Sequence, residues 1–284
     1  MRSIADPPTR SDLARFTPGF GQRFVVTMDL AGPGHDEPGA LGQFQCLCEA
    51  EGVVPVYLAD ESAACANAVR RVLAAPVAAH RAEMGLLYPA TIYVEALERL
   101  VDTIERLFGA APLLCRAAVP GSATDPALLI ECGLAIDCSA RPRCAGPGGG
   151  VDFRRHPLAP YWLDPERTFL ELPQTTVFWG MLRRQGDHIA PLLPGAPRWS
   201  RLLARLGLFE CVTLSPHEAD VEQAIRAIDM ALDDGLPLLV ITAGLPPAED
   251  VAAFTDWWQR VFAYLDLRGV LNTGIAALMR AVER

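Results

Sequence analysis

The chain has 284 residues, of which 51% are hydrophobic and 21% are charged, a composition typical of a globular protein with a sizeable core. Disordered, coiled-coil and collagen-like chains are therefore excluded. Its 25 basic residues, all of them arginine, are outnumbered by 34 acidic residues, and the net charge is −9. Binding to nucleic acid or to an anionic membrane requires a basic surface, so neither is expected as a partner.

The N-terminal segment and the cysteines both favour a cytoplasmic protein. The first residues, MRSIADPPTRSDLARF, lack the apolar core of a signal peptide, and no run of about 18 apolar residues follows. Most of the eight cysteines stand in apolar runs, where we expect buried free thiols. Cys46 and Cys48 are two positions apart, which on a helix separates their sulfurs by about 200° and argues against a shared metal.

Short β-branched runs alternate with longer amphipathic segments, a pattern typical of βα units around a parallel sheet. The predicted strands are Phe24–Asp29, Val53–Leu58, Pro112–Ala117, Leu134–Cys138, Thr168–Leu172, Cys211–Leu214 and Leu238–Thr242. The predicted helices are Asp60–Ala75, Thr91–Phe108 with Gly109 as its C-cap, Ser215–Asp234 and Ala248–Leu265. We predict an N-terminal extension over residues 1–22 and, over residues 23–284, one α/β domain with a barrel of about seven or eight strands.

Two loop regions bear on the choice of fold and site. After the first strand comes AGPGHDEPG, in which Pro33 and Pro38 remove backbone amides that a phosphate would need. A dinucleotide-binding fold is therefore not favoured. The region from Ala140 to Pro173 is the least regular part of the chain, and long loops inside compact domains are usually functional.

Parallel barrels carry their reactive groups at the carboxyl ends of the strands. The first predicted strand ends in Asp29, which we interpret as a base or a ligand, with a turn cap as the alternative. Arg116 stands near the end of the strand Pro112–Ala117. Arginine is seldom buried without a partner, so we expect it to pair with Asp29 at the same mouth; a solvated rim arginine is the alternative.

None of the five histidines forms the closely spaced pair typical of metal hydrolases. His80 follows Pro76–Ala79, a short apolar run that we interpret as a further barrel strand. This makes His80 a candidate metal ligand, with a hydrogen-bonded structural role as the alternative. In the long loop, His156 and Trp162 are candidate substrate-binding residues. His217 is expected at the surface, in the first turn of a helix.

The order of these motifs resembles the polysaccharide deacetylase superfamily, the NodB-homology or carbohydrate esterase family 4 group. The resemblance extends from about Arg23 to Leu265. RFVVTMDL is similar to the first motif, EGVVPVYLAD to the second strand, and LERLVDTIERLFGAAPLLCRA to the segment leading to the motif arginine, here Arg116. The segment GLAIDCSARPRCAGPGGGVDFRRHPLAPYWLDPERTFLELPQT is similar to the WalW-like branch. The resemblance implies a distorted (β/α) barrel of the NodB-homology type.

The catalytic positions depart from the family pattern. The resemblance implies a metal held by an acid and two histidines, a second aspartate as base and a further histidine as acid. In this chain Leu30 follows Asp29, and Ala82 stands where the second metal-binding histidine is expected. The late motif reads VITAGL and contains no histidine.

Three functions follow as hypotheses. The first is a pseudo-enzyme without a cofactor, which binds a saccharide or serves as a scaffold. The second is an active hydrolase that deacetylates N-acetylated amino sugars with a divalent metal such as zinc, in a site rearranged by the fold-back of His35, Asp36 and Glu37. The third is a structural subunit without a ligand. Elemental analysis separates the first two. A carbohydrate is a candidate ligand of the hydrolase and of the saccharide-binding form of the pseudo-enzyme.

Overall fold

The computed structural model describes residues 7–30, 38–89, 92–119, 125–144, 151–192 and 202–283. Its strands are β1 (Arg15–Phe16), β2 (Arg23–Asp29), β3 (Val56–Ala59), β4 (Glu83–Tyr88), β5 (Leu114–Ala117), β6 (Ile136–Asp137), β7 (Tyr161–Trp162), β8 (Leu170–Glu171), β9 (Thr176–Trp179), β10 (Glu210–Thr213), β11 (Leu238–Gly244), β12 (Leu271–Asn272) and β13 (Val282–Glu283). Its helices are α1 (Pro38–Ala50), α2 (Glu61–Cys65), α3 (Asn67–Ala78), α4 (Val94–Phe108), α5 (Pro126–Glu131), α6 (Gly186–Ile189), α7 (202–205), α8 (Val221–Asp233), α9 (Val251–Leu267) and α10 (Ile275–Ala281). Among the described residues, no helix has the length and apolar character that crossing a membrane requires.

The main sheet is curled and almost entirely parallel. Its strand order is β11-β2-β3-β4-β5-β6-β8, with β7 antiparallel at one edge and β12 beside the start of β2. Helices α1, α3, α4, α8 and α9 bury apolar side chains against one side of it, in a cluster that includes Phe44, Leu97 and Trp258. The predicted α/β barrel with a single domain is confirmed, in a distorted form.

The side chains of β2 point alternately to the two faces of the sheet, and this alternation determines which of them line the inner face. Val26 and Met28 face the helices, whereas Val25 belongs to the apolar cluster inside the curled sheet. Side chains two positions apart on a strand share a face. Thr27 and Asp29 therefore continue the inner face from Val25 to the carboxyl edge of the sheet.

The opposite, amino edge of the barrel interior is closed by both ends of the described chain. Phe16 and Phe20 pack on the inner cluster beside α10, and β1 pairs antiparallel with β13. The carboxylate of Glu83 accepts hydrogen bonds from the backbone N–H groups of Ile275 (2.6 Å) and Ala276 (3.3 Å). Residues of the predicted N-terminal extension thus form part of the barrel base.

Strands β9 and β10 form an antiparallel pair of their own beside the edge of β11 that β2 does not occupy. Backbone hydrogen bonds join them to that edge, from Thr175 N to Val240 O (3.1 Å) and from Thr242 N to Leu214 O (3.2 Å). The predicted strand Cys211–Leu214 is therefore a strand, but it lies outside the parallel sheet. Side-chain preference indicates an extended segment without identifying its partner.

The interpretation of Pro76–Ala79 as a barrel strand is wrong. Pro76 lies inside α3, and the strand begins only at Glu83. A short apolar run without clear periodicity suits a helix end as well as a strand. The predicted helix Asp60–Ala75 is in turn divided at Ala66, whose backbone is extended (φ −64°, ψ 126°).

The eight cysteines are free thiols, but they are not uniformly buried. Cys48, Cys115 and Cys138 are buried, as expected. Cys46 and Cys48 lie on different faces of α1, one exposed and one buried, which agrees with the spacing argument. The expectation of a buried thiol is wrong for Cys46, because the helix carries it on its solvent face.

Candidate functional site

An ion pair between Arg116 and Asp29 forms the floor of the barrel mouth. Arg116 Nη1 lies 2.7 Å from Asp29 Oδ1, and the two side chains are 4% and 32% exposed. Strands β3 and β4 separate their parent strands in the sheet, so the pair reaches across the curled interior. The expected pairing at one mouth is confirmed.

The remaining donors of Arg116 are also engaged. Nη1 donates to Thr242 Oγ1 (2.8 Å), Nη2 to Thr27 Oγ1 (2.6 Å), and Nε to the carbonyl oxygen of Cys138 (3.2 Å). The rigid, planar guanidinium thereby connects β2, β11 and the residue that follows β6. It acts as a brace between strands that are distant in the sheet.

Burial and charge act in opposite directions on Asp29. Removal from water is the larger effect and raises the pKa of its carboxyl group, whereas Arg116 and His217 lower it in part. The pKa of Asp29 remains above its ordinary value. Its carboxylate is therefore a better proton acceptor than an exposed aspartate.

Above the pair lies a cleft of about 180 Å³. Its polar lining, besides Asp29 and Arg116, consists of Ser139, Arg141, Gln174, Thr213, Ser215, His217, Glu218 and Thr242. Sites for drug-sized ligands usually measure about 300–1,000 Å³. The smaller, polar cleft suits one small molecule, or one ring of a larger molecule, that both donates and accepts hydrogen bonds.

A second ion pair lies on the wall of this cleft. Arg141 Nη2 donates to Glu218 Oε1 (2.5 Å) and to Thr213 Oγ1 (2.5 Å), and Glu218 Oε2 accepts from the backbone N–H of Thr213 (3.0 Å). The side chains of Arg141 and Glu218 are 26% and 37% exposed, unlike that of Arg116. This pair is open to a ligand as well as to solvent.

His217 lies on the same wall, in the turn that follows β10. Its Nε2 is 3.0 Å from the carbonyl oxygen and 3.1 Å from the backbone nitrogen of Gly244, so its tautomer decides which contact is the hydrogen bond. The expected exposure is correct, but the helix begins only at Val221, after the Asp220 N-cap. His217 follows the last residue of β10 by four positions, and this closeness to a strand end was the sequence signal for a place in the cleft.

The structure does not bring the two long-loop candidates to the cleft. His156 is 5% exposed, and its Nδ1 lies 2.8 Å from Tyr161 Oη, against the ring of Phe153. Trp162 is 3% exposed in the inner apolar cluster, packed with residues such as Leu170. Apolar contacts hold both side chains inside the protein, away from the cleft lining.

His80 lies at the other end of the barrel from Asp29. It is exposed, with φ 54°, in the turn before β4, and it borders a cavity of about 200 Å³ near the barrel base. Ala82 also precedes β4, so neither residue stands at the carboxyl edge of the sheet. The carboxyl end of β4 is occupied by Leu87 and Tyr88, and neither of them is a metal-binding histidine.

The metal implied by the resemblance finds no matching set in the described parts of the chain. They contain no group of three or more His, Cys, Asp or Glu side chains that converge to hold an ion. Arg116 also places a positive charge against Asp29. These residues do not fit a divalent cation. His35, Asp36 and Glu37 of the fold-back hypothesis, and the segment 145–150, lie outside the described residues.

Two buried acids lie on the side of the sheet away from the cleft. Asp137 and Glu171 are register partners on β6 and β8, and both are 0% exposed. Asp137 Oδ1 accepts from Ser139 N (3.1 Å) and Oγ (2.5 Å), and Glu171 Oε1 accepts from Ala140 N (3.0 Å). These bonds anchor the turn that leads to Arg141.

The second oxygen of each acid has no hydrogen-bond partner among the described residues. Burial raises the pKa of Asp137 to about 6. Burial, and next the charge of Asp137, raises the pKa of Glu171 well above its ordinary value. Acids inside the apolar runs GLAIDC and FLELP were the sequence signal for this pair.

No protein-family model matches the chain, and neither does any curated protein. Solved structures do match. The chain is similar to Puue allantoinase, with a TM-score of 0.56 at 14% identity over 97% of this chain and 93% of that one. It is also similar to the Xyl-CE4 domain of a multidomain xylanase from the hindgut metagenome of Trinervitermes trinervoides, with a TM-score of 0.49 at 8% identity over 92% and 90%.

A third similar structure is BA3943, a CE4 family pseudoenzyme from Bacillus anthracis, with a TM-score of 0.42 at 8% identity over 92% of this chain and 66% of that one. The identities are low in all three cases, so these likenesses concern the fold. The similarity to Puue allantoinase agrees with the distorted α/β barrel described above.

Proposed function

We propose that the chain is a polysaccharide-deacetylase-like pseudo-enzyme, related to the WalW-like branch, that binds a saccharide at the barrel mouth. One observation carries the proposal. The Asp29 carboxylate is held by a buried arginine, at the floor of a cleft lined with hydrogen-bonding side chains. A cytoplasmic location is part of the proposal, supported by eight free cysteines.

The chemistry of the cleft wall supports a hydroxyl-rich, uncharged ligand. A sugar hydroxyl donates one hydrogen bond and accepts others, so it suits a wall on which a carboxylate and a guanidinium stand side by side. Glu218 and Arg141 supply those groups in a partly exposed pair. Their charges compensate each other, which favours a neutral ligand over an ion.

Calorimetric titration with chito-oligosaccharides tests this proposal. We expect saturable binding by the wild type and about 3–10-fold weaker binding by His217→Ala, the loss of about one hydrogen bond. His80→Ala is the matched control, because His80 is also exposed but lies at the opposite end of the barrel. Absence of binding, or equal weakening by both variants, would contradict a saccharide site in the cleft.

One observation favours the second candidate, an active deacetylase. His217 and Asp29 line the same cleft, and a carboxylate together with an imidazole is a set that acid–base catalysis uses. Acetate release from acetylated chito-oligosaccharides, with and without added zinc, tests it. If the wild type releases acetate and Asp29→Asn does not, the protein is an active deacetylase and not a pseudo-enzyme.

A further inference from the structure

Two cysteines meet in segments that also carry the cleft residues Arg141 and Thr213. Cys144 Sγ lies 2.8 Å from Cys211 Sγ, although the two residues are 67 positions apart in the chain. Cys211 lies on β10, and Cys144 follows the cleft residue Arg141 by three positions. Both residues are of intermediate exposure, unlike the fully buried Cys115.

Contacts that do not involve sulfur hold the two segments together. Thr176 Oγ1 donates to the carbonyl oxygen of Pro142 (2.7 Å), and Arg143 Nη1 donates to the carbonyl oxygen of Thr176 (3.3 Å). The Arg143 guanidinium also lies 4.6 Å from the ring centroid of Phe178. These contacts fasten residues 141–144 to the β9–β10 pair, so the fold itself brings the two thiols together.

A shared hydrogen bond and two arginines act on the thiols. The hydrogen bond between the two sulfurs lowers the pKa of Cys144. Burial raises the pKa of each thiol, whereas the positive charges of Arg141 and Arg143 lower the pKa of Cys144 and of Cys211. A thiolate is the attacking species in disulfide exchange, and the positive charges favour it. Burial raises the pKa of the buried thiols Cys48 and Cys115, which are therefore poor nucleophiles.

We propose that Cys144 and Cys211 form a dithiol that low-molecular-weight disulfides oxidise to an intramolecular disulfide, which links the Arg141 segment to β10 and stabilises the fold. The Cys144 thiolate attacks one sulfur of the reagent RS–SR, forms a mixed disulfide and releases one RS⁻. Cys211 then loses its proton and attacks the Cys144 sulfur, which releases the second RS⁻. Two protein thiols and one RS–SR thus become one protein disulfide and two RSH. The inference is independent of the ligand of the cleft.

Redox titration of the full-length chain with mixtures of reduced and oxidised glutathione tests the bond. After acid quenching and alkylation, we expect two fewer alkylated thiols per chain under oxidising conditions and a digest peptide that joins Cys144 to Cys211. Cys144→Ser and Cys211→Ser abolish this peptide, whereas Cys65→Ser, which removes an exposed cysteine elsewhere, leaves it unchanged. Stable glutathione adducts on both cysteines without the joined peptide would overturn the proposal.

Thermal unfolding tests the consequence for stability. Closing a loop of this length restricts the unfolded chain, so we expect the oxidised wild type to melt about 5 °C or more above the reduced form. Cys144→Ser and Cys211→Ser each melt at the same temperature in both glutathione mixtures. A joined peptide with unchanged melting would show that the bond forms without stabilising the fold, and that part of the proposal would fail.

Discussion

The two faces of the sheet accommodate buried charge in different ways. On the mouth side, Arg116 is opposed by Asp29, and its other donors are used by two threonines and a carbonyl group. On the outer side, Asp137 and Glu171 face each other as like charges, and each has one oxygen without a partner. The first cluster is stabilised by an opposite charge, whereas the second is relieved by binding a proton.

The largest expected effect comes from removing the brace at the mouth. Arg116→Ala leaves Asp29 and two threonines without their donor, and breaking a buried pair costs about 3–5 kcal/mol of unfolding free energy. Denaturant unfolding measures this loss. Arg99→Ala is the matched control, because its pair with Glu61 is exposed and such pairs contribute about 0–1 kcal/mol. If Arg116→Ala and Arg99→Ala unfold at the same denaturant concentration, the ion pair at the mouth contributes no more to stability than an exposed pair.

The outer acids predict a stability that falls as pH rises. The folded-state pKa of Asp137, about 6, lies above its ordinary 3.8, so the folded chain holds a proton that the unfolded chain releases. The resulting stability is fully present below pH 3.8 and is lost as the pH rises through about 6. The difference amounts to on the order of 3 kcal/mol of unfolding free energy.

Asp137→Asn tests this dependence, because the amide is neutral at every pH and its NH₂ group offers a donor to Glu171. We expect the variant to gain stability over the wild type at pH 8 and to lose that advantage at pH 4. Asp256→Asn, at an exposed position of α9, keeps the wild-type pH profile as the control. An unchanged profile in Asp137→Asn would show that this acid does not titrate as its burial predicts.

A milder effect is expected from Asp29→Asn. The amide oxygen still accepts one hydrogen bond from Arg116, so we expect a loss of about 1–2 kcal/mol of unfolding free energy. Chemical unfolding of this variant beside Arg116→Ala ranks the two losses. If Asp29→Asn is the more damaging substitution, the carboxylate and not the guanidinium holds the mouth together.

The smallest expected effect is that of metal removal. Since the described residues at the mouth do not fit a cation, we expect dialysed protein to retain far less than one zinc, cobalt or nickel ion per chain. Elemental analysis and a melt with added chelator check this, and the melting temperature should not move. One tightly held ion per chain, lost in Asp29→Asn or His80→Ala, would restore the hydrolase hypothesis.

The sequence predicted those features that depend on local pattern. Strand β2 is recognisable from its β-branched run, and α4 from its apolar spacing and from Gly109, which adopts the left-handed C-cap conformation (φ 75°). The pairing of Asp29 with Arg116 followed because both stand at strand ends. These inferences needed no knowledge of which strands are neighbours.

Features that depend on tertiary placement were not accessible in this way. The partner of β10, the place of His217 over the cleft and the meeting of Cys144 with Cys211 all depend on how the β9–β10 pair lies beside β11. Position along the chain does not show which segments come together when a long, irregular region intervenes. For the same reason, the sequence predicted His156 and Trp162 in the site, whereas the structure buries both side chains elsewhere.

The pairing of β2 with β11 determines when the barrel can be completed during synthesis. Strand β2 is made before β11, and it pairs with β3 on one edge. Its other edge meets Leu238–Gly244, which leaves the ribosome more than two hundred residues later. Until then the nascent chain exposes an unpaired strand edge, and Arg116 lacks its Thr242 acceptor. A chain interrupted before β11 would therefore be prone to aggregate, because this edge of the parallel sheet stays unpaired until β11 has been made.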